Sequence, residues 1–166
     1  MIHKKFLLLL LVLVALPAAA QKIGFVNTQR VLNQSAPAVR ANKRLEAEFQ
    51  KRDQELARIA DQLKRMQDDL ERNAVTMGES QRRTKEREFG ELNRDFQRKQ
   101  REFREDLNQR RNEETRQVVE QADRIIRQIA EQEKFDIIFQ DAAFVAPRID
   151  ITDKVIKALE DKPSAK

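Results

Sequence analysis

Large apolar side chains recur at every seventh position through most of this chain, separated by arginine, glutamate, lysine and glutamine. Phe49, Leu56, Leu63, Leu70 and Met77 form one such row. Leu45, Ile59 and Met66 occupy the alternating position, with Arg52 and Asn73 as polar interruptions. This is the 3-4 spacing of a coiled-coil seam. The pattern stops around Thr76-Met77-Gly78-Glu79-Ser80 and resumes as Phe89, Leu92, Phe96, Phe103 and Leu107, then Val118, Ala122, Ile125 and Ile129. Between Leu107 and Val118 the repeat stretches to eleven residues, which predicts a straighter helix. No proline lies between Pro37 and Pro147, so both rows read as long helices. Ser35 is placed to cap the first of them, with Pro37 in its first turn.

Two such rows around one break predict an antiparallel hairpin. Folding the chain back between Glu79 and Ser80 sets Leu70 against Phe89, Leu63 against Phe96 and Leu56 against Phe103. On this reading the three phenylalanines face the opposite arm.

The ends differ in texture. Lys22–Asn27 (KIGFVN) reads as a short strand with Ile23 and Phe25 on one face and Val26 on the other. Asn27 or Thr28 is placed to cap one helical turn through Val31 and Leu32. Phe135–Gln140 (FDIIFQ) is apolar at Ile137, Ile138 and Phe139 alike, predicting a strand buried on both sides, and Ala143–Pro147 suggests another. Asp150-Ile151-Thr152 opens a short helix with Ile151, Val155, Ile156 and Leu159 on one stripe, ending before Pro163. The fold class is therefore mainly α with a small β base. The base is built from 21–35 and 134–166, and the arm from 36–133 with its tip near 76–82. Two or three short strands do not hold a core in water unaided. An oligomerisation body carrying Ile23, Phe25, Val26, Ile137, Ile138, Phe139, Phe144, Val145, Ile149, Val155 and Leu159 is the expectation.

The first twenty residues stand apart. Lys4 and Lys5 precede an unbroken apolar run from Phe6 to Leu16, then Pro17 and Ala18-Ala19-Ala20. This is the layout of a secretory signal peptide cleaved near Ala20, with an uncleaved anchor as the alternative. The full chain carries +5, and loss of both lysines leaves a mildly basic protein. There is no cysteine, and the sole histidine, His3, lies in the leader. Cys and His nucleophiles, His bases and the common zinc sites are therefore excluded; no enzyme, cofactor or metal site is expected. Nucleic acid is not an expected partner, since no aromatic sits on a basic face to stack bases.

KIGFVNTQRVLNQSAPAVRANKRLEAEF and FDIIFQDAAFVAPRIDITDKVIKAL resemble the N- and C-terminal motifs of the Skp/OmpH family of periplasmic outer-membrane-protein chaperones. One departure is Ser35-Ala36-Pro37, where many relatives carry Ser-Pro directly. The resemblance covers residues 22 to about 160. It implies a trimer whose bases form a β body, with three helical hairpins around a cavity. It also implies an ATP-independent holdase for unfolded outer-membrane β-barrel chains. Candidate client contacts are the adaptable side chains Met66, Val75 and Met77 and the basic run Arg82, Arg83, Lys85 and Arg87. The first three also read as seam residues, and the basic run reads first as a solvated helix face, its functional reading being attraction for acidic clients or anionic lipid at a membrane surface. A passive envelope scaffold would explain the heptads too, but not the strand-bearing ends.

Overall fold

The computed structural model describes residues 21–160. The signal-peptide reading of residues 1–20 and the helix stop before Pro163 lie outside them. In chain order the elements are β1 (Ile23–Phe25), α1 (Thr28–Gln34), α2 (Ala36–Arg72), α3 (Glu79–Glu133), β2 (Ile137–Phe139), a 3₁₀ turn (Pro147–Ile149) and α4 (Thr152–Glu160).

Caps set the boundaries. The Asn27 side chain accepts from the Arg30 N–H at 2.9 Å and starts α1. Ser35 closes that helix by donating its N–H to the Val31 carbonyl, and its Oγ accepts from the Ala38 N–H to start α2. At the far end of α2 the Asn73 carbonyl accepts from both Thr76 and Met77, which turns the chain. Helix α3 then runs 55 residues, about 80 Å at the α-helical rise. It stops at Lys134, which takes the left-handed conformation (φ 56°) usual for a residue just past a helix. The turn thus precedes the expected fold-back point: Glu79 and Ser80 already belong to α3. Gly78 is the extended residue before it (φ −62°, ψ 146°).

The base is a parallel strand pair, Ile23 opposite Ile137 and Phe25 opposite Phe139. Parallel strands need a long crossover; here the crossover is the whole hairpin. Asp150 adds a single parallel bridge on the other side of Phe25. The core below is built from Val26, Val31, Ala122, Ile125, Ile126, Ile129, Ile151, Val155 and Leu159, with Phe135 and Ile138 packed against it. A second cluster, Ala38, Ala41 and Val118, forms the neck. Alanine on α2 lets the two helices approach closely there.

Three expectations about the base need correction. Ala143–Pro147 forms no strand; the segment is irregular until the 3₁₀ turn. Pro147 has no N–H to give a ladder and starts that turn instead. In the single chain β2 is not buried on both sides either, since Ile137 and Phe139 remain 44% and 46% exposed. A two-stranded sheet has only one helical layer to cover it. Ile23, assigned to the same face as Phe25, is partly exposed while Phe25 is buried.

Candidate functional site

The hairpin formed by α2 and α3 makes up most of the described chain. Its seam is well buried near the base, at Leu45 and Phe49, and again at Leu63. Elsewhere it is half-covered: Leu56, Leu70, Phe89, Phe96 and Phe103 all retain some exposure. The Phe103 ring meets Phe49 edge to face, with centroids 5.6 Å apart and planes at 84°. It also shares a cleft of about 180 Å³ with Leu56. Phe103 therefore sits between Phe49 and Leu56, a knob in a hole, and not level with Leu56 alone.

Arg52, a polar interruption in the alternating row of Leu45, Ile59 and Met66, bridges this layer. Its guanidinium lies 5.6 Å from the Phe49 ring and 5.7 Å from the Phe103 ring. It donates to Asp106 across the hairpin at 2.8 Å. Four further ion pairs link α2 to α3: Arg44 with Glu114, Glu48 with Arg110, Glu55 with Lys99 and Asp69 with Lys85. Helical periodicity puts all five on one side of the seam. On α2, Arg44, Glu48, Glu55 and Asp69 each directly precede a seam residue (Leu45, Phe49, Leu56 and Leu70), which sets them on one flank of the helix, and their α3 partners meet them there.

Glu114 is the buried member of this ladder, 3% exposed at the eleven-residue step of the second row. It accepts from Arg44 and, at 3.2 Å, from Arg110. The Arg44 hydrogen bond holds its carboxyl below the usual carboxylate range, against the opposing effect of burial. The same contact raises Arg44. Nothing in the residue pattern marks Glu114 out from other glutamates except its place eleven residues beyond Phe103.

The opposite face differs in kind. It carries a cleft of about 530 Å³ along Leu45, Phe49, Phe103 and Leu107, edged by Asn42, Glu46, Gln50, Asp53, Gln54 and Arg111. Nearer the base, Val39 and Val119 continue this face, 42% and 40% exposed. Each follows a buried neck residue, Ala38 and Val118, and so points to the same side. Sequence reading passed over both valines; the signal was an apolar residue directly beside a seam residue, one of which must leave the seam.

At the tip, Val75 is almost fully exposed and Met66 and Met77 are half-buried. Arg82 pairs with Glu86 at 3.3 Å, Arg83 with Glu79 and Lys85 with Asp69; Arg87 is exposed. Most of the basic run is thus engaged in ion pairs within the hairpin. In the base, Phe25, Val26, Val155 and Leu159 are buried, Ile138, Val145 and Ile149 half-buried, and Phe144 is 85% exposed.

Comparison with known proteins agrees with this architecture. A family model described as Outer membrane protein (OmpH-like) matches residues 22–159. The chain is 26% identical over 144 residues to the chaperone protein Skp of Vibrio cholerae serotype O1, covering 86% of this chain and 85% of that protein. It is 29% identical over 144 residues to the chaperone protein Skp of Pectobacterium atrosepticum, covering 86% and 87%. A crystal structure from Caulobacter crescentus, described as a candidate outer membrane chaperone (OmpH-like), superposes with a TM-score of 0.72. That pair shares 17% identity over 89% of each chain, so the likeness is one of fold. With the match running from β1 into α4, the chain belongs to the Skp/OmpH-like outer membrane chaperone family.

Proposed function

We propose that this protein is an ATP-independent periplasmic holdase that keeps unfolded outer-membrane β-barrel chains from aggregating. The client sits in a cavity between the arms of a homotrimer. The observation that carries the reading is the contrast within one chain. A hairpin arm tens of ångströms long rises from a base whose outer strand leaves Ile137 and Phe139 exposed, with Phe144 bare in the segment that follows. Exposed apolar side chains at a two-stranded edge are what a shared sheet would cover. Copies joined at their bases would hold several arms around one space.

An unfolded β-barrel chain is a series of half-apolar strands that aggregate readily. Many weak contacts spread over an arm hold such a chain by number, and release it without fuel because each is weak. The tip lysines and arginines would add salt-sensitive attraction for acidic clients or anionic lipid. No catalytic role is assigned to any residue.

The test is aggregation of an outer-membrane β-barrel protein diluted from urea, followed by light scattering. A holdase suppresses scattering in stoichiometric amounts without nucleotide. A passive scaffold leaves it unchanged and would end this reading.

A further inference from the structure

The two faces of the hairpin are chemically unequal. One carries all five arm-to-arm ion pairs found among the described residues, so its charges are already matched. The other carries the cleft above Phe49 and Phe103, the exposed Val39 and Val119, and three charged residues outside those pairs: Glu46, Asp53 and Arg111. We infer that this second face is the client-facing wall of the arm. Its occupant is an extended segment of unfolded polypeptide, with an aromatic or large aliphatic side chain on the Phe49–Phe103 floor and a lysine or arginine beside it. This rests on the holdase reading and deepens it.

Three features favour that occupant. The floor is aromatic and aliphatic, and an entering side chain meets chiefly the half-buried Phe103 and Leu107, with Phe49 packed beneath them. Glu46 and Asp53 stand seven residues apart on one helix, about 10 Å along its axis. They offer negative charge along one rim, where a cation flanking the seated side chain would lie. The remaining edge is amide, from Asn42, Gln50 and Gln54. Amides can donate to or accept from a passing backbone whatever its sequence. The ladder face has only the smaller cleft of about 180 Å³ at Leu56 and Phe103, and the Arg52, Glu55 and Lys99 charges on its rim are already paired across the hairpin.

The experiment uses the mature full-length protein with a photo-reactive benzoylphenylalanine at Gln50, on the cleft face, or at Gln62, on the ladder face. Both positions are exposed. An outer-membrane β-barrel protein diluted from urea is added, and its aggregation is followed in parallel. Cross-linking to the client severalfold stronger from Gln50, with the captured segments rich in aromatics next to Lys or Arg, is the expected result. Equal or stronger capture from Gln62, with aggregation still suppressed, overturns the face assignment while leaving the holdase reading intact. Cross-links from Gln50 to a second copy of this chain also overturn it, since the face is then a subunit interface. Failure to suppress aggregation defeats the holdase reading itself, and this inference with it. A Glu46→Lys, Asp53→Lys variant should shift the captured segments away from basic ones. An unchanged composition refutes the charge part of the inference.

Discussion

Replacing Phe49 by alanine should loosen the arm beyond it and spare the base. Phe49 is the most buried aromatic of the hairpin, packed edge-to-face on Phe103 and flanked by the Arg52 guanidinium. Truncating a buried phenylalanine typically costs about 3–5 kcal/mol. The adjoining cleft lets water and neighbouring side chains enter the vacated space, which places this case near the lower end, about 3 kcal/mol. At about 1.4 kcal/mol per decade, that is roughly a hundredfold rise in local opening. The loss stays local because a two-helix rod has contacts only with its own neighbouring layers, as in repeat arrays. The base core has its own cluster of Val26, Ile125, Ile129 and Val155. Native-state amide exchange reads the two regions separately. Protection should fall about a hundredfold through the distal parts of α2 and α3, and stay within error in α4. Equal loss in both regions would refute the idea that arm and base are separately stabilised. Unchanged protection in the arm would refute the Phe49 layer itself.

Other perturbations test other parts. Glu114→Gln should flatten the acid dependence of arm stability. The native carboxyl is held below its ordinary value, so its contribution is full above the unfolded-state pKa and is lost as pH falls through the native one. Thermal melts from neutral pH into the acid range should converge for wild type and variant at low pH and differ most near neutrality. Gly90→Ala should stabilise by about 1 kcal/mol. An added Cβ there meets only the Arg94 guanidinium, at 3.7 Å; a lowered melting temperature would contradict this. Gly24→Val should damage the base, since a Cβ already comes within 3.1 Å of the Phe135 ring and 3.2 Å of Ile138. The measurement is loss of exchange protection in β1 and β2, and retention of it would show that the strand pair is looser than described.

The hairpin was legible in the sequence because helix periodicity and a solvated surface leave few alternatives for a leucine row and a phenylalanine row. Its register was not fully legible. The reading placed the fold-back at Glu79 and Ser80, whereas a six-residue turn ends at Gly78, and Phe103 interleaves between Phe49 and Leu56. Interdigitation and turn length are set by side-chain shape in three dimensions, which spacing alone does not encode. Glu114 was missed because burial of a carboxylate depends on Arg44, seventy residues away. The strand at Ile137–Phe139 was readable from its apolar run. Its exposure was not, because the same run fits a buried strand and a strand awaiting a partner. Ala143–Pro147 looked extended by composition, and Pro147 with the Asp150 bridge directed it elsewhere. At the tip, ion pairs within the hairpin absorb most of the basic run that sequence reading left available to partners.

The most direct measurement of the whole account is the solution mass of residues 21–166 by light scattering, across a dilution series at micromolar concentration. Bases that share their bare strand edge predict an oligomer that persists on dilution, with the mass of three chains if the proposed homotrimer is right. A single-chain mass would leave Ile137, Phe139 and Phe144 uncovered and the arms with no space to enclose.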